Sequence, residues 1–377
     1  MARNRIIYQS EALYVSEDAS SVGASLHEQL ERVQSANYSF SISRQDINQF
    51  GALSRVDSLV LEAPTVSLDF SYYLTNGFNE AALGFGTGQN ADAFGVGFAS
   101  GHMTPSSGKN FYILTTAEGK DAVDAAGDAG KSVIGIGNAY LTDYTLDLSV
   151  GSIPTVSCTM EGANIRSQTD VNAARSNVAS PAIEQSNGAD TAITATLPAA
   201  TTGSAGAITA LRPGDVSILF DGATGDISDA EDGPFVNLDT DGEDGVHVQS
   251  ASLSLGMSRS PLERLGSRFP FARTVDFPVQ ATLSVSAIVN ELTAANLIDI
   301  IDQQKTVQVD LKINEPGTTS PACIYRLKGA RLDSESFSSS IGANKSVDLT
   351  FTTQIGGQED SSNNIFLSGS SVPTPFA

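Results

Sequence analysis

The sequence predicts a mainly β protein: two tandem copies of one barrel or sandwich unit, each with at most one flanking helix. Two observations support this fold class. The apolar runs are short and alternate with Ser or Thr, as in "VSLDFSYYL" and "ATLSVSAIV", which is typical of strands with one buried face. In addition, "VQSANYSFSISRQDINQFG" from Val33 returns as "VQSASLSLGMSRSPLERLG" from Val248, an offset of 215 residues.

The matched segments keep strand spacing. Apolar positions two residues apart coincide in the two copies: Tyr38 with Leu253, Phe40 with Leu255, and Ile42 with Met257. "FYILTTAEGK" from Phe111 resembles "VQVDLKINEPG" from Val307. The match then resumes between "VIGIGNAYLTDYTLDLSV" from Val133 and "IYRLKGARLDSESFSSSI" from Ile324, at an offset of 191. The order of the matched segments is therefore the same in both copies.

This order divides the chain into five parts. We expect an N-terminal arm over 1–28, repeat one over 29–162, an Ala/Thr-rich linker and acidic loop over 163–244, repeat two over 245–357, and a C-terminal tail over 358–377. Within the linker, "LRPGDVSILFDG" predicts one strand.

Each copy offers one helix candidate. In copy two it is "TAANLIDIIDQQ", where Thr293 caps the start and one face is apolar: Ala294, Leu297, Ile298 and Ile301. Copy one has only the remnant "NEAAL" from Asn79. Gly51 and Gly266 occupy matched positions and predict turns with positive φ.

Composition excludes several classes of protein. The net charge of −22 argues against a protein that grips nucleic acid through its phosphates. Cys158 and Cys323 are far apart, which indicates a reducing compartment rather than a disulfide framework. We expect no membrane partner and no signal peptide, because no apolar run is long enough to span a bilayer.

Catalytic motifs are sparse, and we expect neither an enzyme nor a cofactor. The three histidines, His27, His102 and His247, do not share metal-ligand spacing, although a Ser/His/Asp triad formed in space stays open. Asp239, Asp241 and Asp244 are weak calcium candidates. A solvated acidic loop is the alternative, because position 12 of a calcium loop would be Ser250.

Arg44 and Arg259 occupy the same position in the two copies, and each follows a Ser. One interpretation is an arginine that pairs with a carboxylate at an inter-copy or inter-subunit contact. The other is an ordinary surface arginine in a duplicated segment.

The segment from Val248 that contains "GMSRSPLERLGSRFPFARTVDFPV", together with its partner from Val33, resembles bacteriophage major tail (tail tube) proteins. The pattern begins with a strand that ends in Ser-Arg and continues into a polar arm. The chain then comes back through a segment that contains proline and enters a strand of alternating apolar and polar residues. The resemblance covers both copies and is closest to the duplicated-domain members. It implies stacked rings of three chains with six pseudo-equivalent units, and an arm over 266–278 that contacts the neighbouring ring.

The resemblance also implies two sets of functional residues. The contacts between rings or subunits would include Arg44, Arg259, Phe269, Phe271 and Phe277. Strand alternation then places one set of polar side chains toward a channel: Ser35, Asn37, Ser39, Ser41, Ser250, Ser252, Ser254 and Ser258.

The function implied is a structural tail tube subunit in the virion, assembled in the host cytoplasm. Its partners would be further copies of itself, other tail proteins, and viral DNA that passes without specific binding. Another virion protein stays an alternative: a baseplate hub, tail terminator or capsid decoration protein. A secreted β-sandwich adhesin is the third class, and it would need an export signal.

Overall fold

The computed structural model describes residues 10–20, 23–88, 96–104, 106–123, 130–184, 189, 193–202, 210–222, 247–289, 292, 297–298, 306–318, 320–342, 344–358 and 360–369. The chain is mainly β, as predicted. None of the helices in these ranges is both long and apolar enough to cross a membrane.

The first part of the chain contains strands and one short helix: β1 (Glu11–Ser16), β2 (His27–Gln29), β3 (Val33–Ser41), β4 (Arg44–Ile47), β5 (Asp57–Val60), β6 (Thr65–Tyr73), α1 (Phe78–Leu83), β7 (Thr87–Gly88), β8 (Lys109–Thr115), β9 (Lys131–Ser149), β10 (Thr155–Gly162) and β11 (Asn164–Val171). Two short strands follow: β12 (Val178–Ala179) and β13 (Thr194–Ala195).

The second part repeats most of this order: β14 (Val216–Gly222), β15 (His247–Gly256), β16 (Arg259–Leu262), β17 (Ala272–Val275), β18 (Val279–Ile288), β19 (Val307–Asn314), β20 (Pro321–Ser338), β21 (Ser346–Ile355) and β22 (Asn364–Ser368). The strand predicted in the linker is therefore present as β14.

Both copies contribute to one antiparallel sheet, which we call the shared sheet. Its strands follow the order β3, β6, β10, β9, β15, β18, β21 and β20. The long strands β9 and β20 also run on into a second, outer sheet in each copy. In copy one the outer sheet adds β1, β8 and β11, and in copy two it adds β14, β19 and β22. Each copy is thus a sandwich in which one long strand belongs to both layers.

The duplication extends to the strand ladders. Val33 lies opposite Tyr72, and Val248, 215 residues on, lies opposite Ala287; both ladders then shift register before the next pair. The shift between β9 and β10 likewise recurs between β20 and β21. Because bulges recur at equivalent positions, the two copies share detailed backbone geometry as well as topology.

One segment of the predicted alignment was wrong. Lys109 lies opposite Ala139 on β9, and Val307 lies opposite Ala330 on β20, so Lys109 is equivalent to Val307. The sequence match instead aligns Phe111 with Val307. A two-residue slip leaves the buried face unchanged, so alternation could not detect it.

Copy one has an additional layer on its outer sheet. Tyr14 and Tyr112 on that face form a second apolar cluster with Val178, Leu197 and other residues from the segment between the copies. Beneath this layer, a Cβ on residue 137 would meet the Pro181 carbonyl oxygen at 2.1 Å, so glycine is required there. The described residues of the linker therefore pack mostly on the two copies, those around β12 and β13 on copy one and β14 on copy two.

Helix α1 confirms the helical remnant predicted over "NEAAL" and begins one residue earlier, at Phe78. It lies between Gly77 and Gly84, both with positive φ, and Asn79 to Leu83 are buried. In copy two, Leu297 and Ile298 are helical and more than half exposed, at 59% and 64%. The other residues of that predicted helix lie outside the described ranges.

A buried polar network joins the two copies at α1. The Tyr72 hydroxyl donates to Glu80 Oε1 at 2.8 Å, and the Tyr144 hydroxyl donates to the same oxygen at 3.3 Å. Tyr144 shares a 2.9 Å hydrogen bond with Tyr325 of copy two. Burial raises the pKa of Glu80, because a carboxylate is poorly solvated there.

We predict that Glu80→Gln alters the pH dependence of stability. A raised carboxyl pKa means that the folded state holds its proton more tightly than the unfolded state does. The wild-type free energy of unfolding should then fall as pH rises above the ordinary value of 4.5, while that of the variant lacks this contribution. Denaturant titrations across this range should show that the free energy of unfolding of the variant increases relative to that of the wild type as pH rises. If the difference in free energy of unfolding between the two proteins does not change with pH, the pKa of Glu80 is not raised in the folded state.

Candidate functional site

The candidate site is the open face of the shared sheet. Strand β15 shows the predicted alternation: Ala251, Leu253, Leu255 and, just beyond its end, Met257 are buried, and the last three of these are fully inaccessible. On the other face, Ser250, Ser252 and Ser254 are half-buried, and Ser258 beyond the strand end is exposed. The proposed channel residues of copy two therefore lie on the open face.

Hydroxyl and carboxylate groups dominate this face. Ser252 Oγ donates to Asp147 Oδ1 at 2.7 Å across the junction of the two copies, and Thr159 Oγ1 donates to Asp69 Oδ1 at 2.8 Å. The carboxylates on the face are Asp69, Asp143, Asp147, Glu161 and Asp348, and Arg331 lies at one edge opposite Thr352. The face therefore carries an excess of negative charge.

The face is also concave near its middle. A depression of about 490 Å³ spans the junction of the two copies, with polar residues from β9, β15, β18 and β21 in its wall: Asp147, Ser149, Ser250, Ser252, Ser284, Ser286, Asp348 and Thr350. A concave polar wall can pass a hydrated solute without binding it tightly.

Copy one presents the equivalent residues at the edge of the sheet. Ser35, Asn37, Ser39 and Ser41 are all exposed, and Ser35 Oγ shares a 2.7 Å hydrogen bond with Ser71 Oγ. The opposite face of β3 is not covered either, because Tyr38 and Phe40 are 44% and 59% exposed. Strand β3 thus differs from β15 in burial rather than in pattern.

Arg259 lies at a contact between the two copies. Its guanidinium donates to the His102 carbonyl oxygen and lies 4.9 Å from the centre of the Tyr140 ring. Burial lowers the pKa of Arg259 to about 10. Within the chain, the β16–β17 hairpin brings this side chain onto a carbonyl and a ring rather than a carboxylate; a carboxylate partner in another subunit stays a prediction. Arg44 is exposed.

Sequence reasoning missed the carboxylate pair at this contact. Arg273 on β17 pairs with Glu161, and its guanidinium also lies 5.9 Å from the Tyr140 ring centre. The repeat gives no signal for it, because the equivalent position in copy one is Ser58. The β16–β17 hairpin is thereby held on copy one.

His102 is fully buried beneath the same contact. Burial, with Lys109 and Arg259 nearby, lowers the pKa of His102 to about 3. Burial also lowers the pKa of Lys109 to about 8, although Glu17 and Asp18 act in the opposite direction. His102 is therefore neutral at physiological pH, which limits the positive charge in this region.

The arm of copy two, over 266–278, and the β4–β5 hairpin of copy one, which we call the two arms, present apolar side chains to solvent. Phe271 and Phe277 of copy two are 40% and 65% exposed, while Phe269 is half-buried. In copy one, Phe50 and Leu53 at the tip of the β4–β5 hairpin are fully exposed. The predicted turns are confirmed, because Gly51 and Gly266 both have φ of 87°.

Among the described residues, no group of three or more His, Cys, Asp or Glu side chains could hold a metal ion. The calcium candidates Asp239, Asp241 and Asp244 lie outside the described residues.

No protein-family model matches the chain, and no curated protein matches it significantly. Among solved structures, it is similar to a chain of the virion of a native gene transfer agent (GTA) particle, with 12% identity and a TM-score of 0.22. That match covers 32% of this chain and 84% of the other.

We predict that Arg259→Ala lowers the free energy of unfolding by about 2 kcal/mol, because it removes buried hydrogen bonds and a cation–π contact. Arg44→Ala is the control, and its effect should stay within about 0.5 kcal/mol, because Arg44 is exposed. Chemical denaturation of both variants measures the difference. Equal effects would show that the β16–β17 hairpin is not held by Arg259.

Proposed function

We propose that the chain is a structural subunit of a bacteriophage tail tube, in which trimeric, pseudo-hexameric rings stack around a channel for DNA. One observation carries the proposal. The two copies form one continuous sheet with a concave, polar to acidic face, and it ends at β3 and at the C-terminal half of β20 among the described strands. Such a sheet is a segment of a larger wall, because open edges are a liability in an isolated protein.

The dimensions agree with a channel for duplex DNA. Each copy supplies four strands to the shared sheet: β3, β6, β10 and β9, and then β15, β18, β21 and β20. Three chains would give about 24 strands, and a spacing of roughly 4.8 Å gives a wall about 115 Å around and about 37 Å across. A duplex roughly 20 Å wide fits inside that wall after side chains fill its margin.

The chemistry of the face suits passage rather than binding. Phosphates are held mainly by Lys and Arg, whereas this face offers Ser and Thr hydroxyls and the carboxylates of Asp69, Asp143, Asp147 and Asp348. We therefore propose that DNA moves through without specific binding.

The arms are the proposed contacts between stacked rings. Exposed apolar side chains such as Phe50, Leu53 and Phe277 gain nothing from exposure in a solitary subunit. Burying each of them against a neighbouring ring would contribute about 1.5–3 kcal/mol. Other tail proteins would cap the two ends of the tube.

The proposal is structural rather than enzymatic. The fully buried carboxyl group of Glu80 bridges the two copies through tyrosine hydroxyls and is inaccessible to a substrate. A virion component of another type would share this fold, but it would not elongate into tubes.

Electron microscopy and mass measurement of the purified protein test the assembly. We expect tubes with a central channel, and isolated rings whose mass corresponds to three chains, because each chain supplies two units. A ring mass near six chains would overturn the trimer. Rings or monomers that never elongate would favour a hub, terminator or decoration protein.

A second prediction tests the channel face. Replacing Ser252 and Ser39 with Lys should leave assembly normal, because both side chains lie on the open face. DNA should then bind the tube in a salt-dependent way, and genome ejection from particles should slow. The same positions changed to Gln provide an uncharged control. Ejection by the Lys variant at the wild-type rate would show that these serines do not line the DNA path.

A further inference from the structure

The β4–β5 and β16–β17 hairpins have the same backbone ladder. In copy one, β4 and β5 form four pairs that begin with Arg44 opposite Val60. In copy two, β16 and β17 form four pairs at the repeat-equivalent positions, beginning with Arg259 opposite Val275. Pro261 even leaves the copy-two ladder one amide donor short. Backbone pairing alone therefore gives the copy-two hairpin no advantage in stability.

Arg259 ties the β16–β17 hairpin to copy one. Its guanidinium donates to the His102 carbonyl oxygen and, at 3.3 Å, to the Ser107 hydroxyl. It also donates to the Arg273 carbonyl oxygen at 3.3 Å, across the hairpin. One side chain thus holds both strands of the hairpin against the loop that precedes β8.

Arg273 makes a second attachment to copy one. Its side chain is 10% exposed and pairs with Glu161 of β10. The centre of the Tyr140 ring lies 5.9 Å from the guanidinium carbon of Arg273 and 4.9 Å from that of Arg259. Hydrogen bonds between charged groups are stronger than neutral ones, and a partly desolvated cation is attracted to an aromatic face. We call these contacts of Arg259 and Arg273 the anchor.

The repeat does not reproduce the anchor for the β4–β5 hairpin. Arg44 is the counterpart of Arg259. The counterparts of Arg273, Tyr140 and Glu161 are Ser58, Arg331 and Thr352. A repeat-equivalent surface therefore offers the copy-one hairpin neither an aromatic ring nor a carboxylate, and it would present one arginine to another.

The exposure of the two hairpins follows this difference. Every residue over 44–62 is exposed except Ser58, which is half-buried. Val60 is 45% exposed, whereas its counterpart Val275 is 8% exposed. Because a two-stranded hairpin without other packing is only marginally stable in water, the anchor is what distinguishes the two.

We propose that the chain carries one fixed arm and one released arm. The anchor holds the β16–β17 hairpin in a single orientation in the isolated chain. The β4–β5 hairpin moves about its connections to β3 and β6, and it becomes ordered when it binds a second copy of this chain. This second half of the inference rests on the proposed function, which supplies the neighbouring copy.

The difference assigns distinct tasks to the two arms. A preorganised surface loses little conformational freedom on binding, so the fixed arm can set the orientation of a contact. The released arm loses more conformational freedom on binding, but it can adapt to the partner surface. Its fully exposed side chains, Phe50 and Leu53, would become buried only in that step.

Hydrogen–deuterium exchange of the full-length, unassembled chain tests the first half. We expect the protection factors of β4 and β5 amides to be about tenfold lower than those of β16 and β17, the factor that one charge-assisted hydrogen bond supplies. The matched ladders make this comparison direct, and peptides from β6 and β18 report whether the shared sheet stays folded. Equal protection of the two hairpins would overturn the inference.

Glu161→Gln tests whether the anchor is the cause. It removes the charge that holds Arg273, so protection of β16 and β17 should fall about tenfold while that of β4 and β5 does not change. Asp46→Asn is the matched control, because it removes the carboxylate that pairs with Arg55 inside the β4–β5 hairpin, where the two side chains are 47% and 63% exposed. Its effect on either hairpin should stay within about twofold. Unchanged protection of β16 and β17 in Glu161→Gln would show that the anchor does not fix the arm.

Exchange in assembled tubes tests the second half. Protection of β4 and β5 should rise about tenfold on assembly, and that of β16 and β17 should rise less. Tubes without this gain would reject the ordering of the released arm and leave the proposed function standing. Unequal protection of the two hairpins in a chain that never forms tubes would support the fixed and released arms and reject the tube.

Discussion

The antiparallel pairing of β9 with β15 is the contact on which the rest of the structure depends. It joins two sandwiches into one sheet and satisfies backbone groups that would otherwise lie at two free edges. It also buries the inner face of β15 and allows the β16–β17 hairpin to lie over Tyr140. Tyr325 meets the Glu80 network from copy two, so one core runs through both copies.

Much of this sheet could be predicted from the repeat. The matched segments from Val33 and Val248 indicate equivalent strands, and their alternation correctly separates the buried Leu253 and Leu255 from the serines between them. The repeat could not predict that β9 of copy one pairs with β15 of copy two, because this pairing does not change the alternation of apolar and polar residues in either strand. Copy one's β3 has the same alternation, yet its apolar face is open.

The outer sheets were harder to predict, for a physical reason. Strands β11, β14 and β22 lie outside the predicted repeat boundaries and pair with partners far along the chain. Helix α1 could be predicted only as the short remnant "NEAAL", and its Glu80 looks like a surface residue in sequence although it is buried. Arg273 has no counterpart in copy one, and its role depends on the hairpin lying beside Glu161.

The additional layer on copy one would have a consequence for the outside of the proposed ring. Gly135 and Gly137 lie beneath Pro181, whereas their counterparts in copy two are Arg326 and Lys328, and Arg326 pairs with Asp310 through two hydrogen bonds. Around a closed ring, apolar-capped facets would therefore alternate with charged facets. The interior could keep near-sixfold uniformity while the exterior offers three docking positions of each kind. In the proposed ring, duplication within one chain would thus let the outer surface evolve at alternate positions without altering the lining.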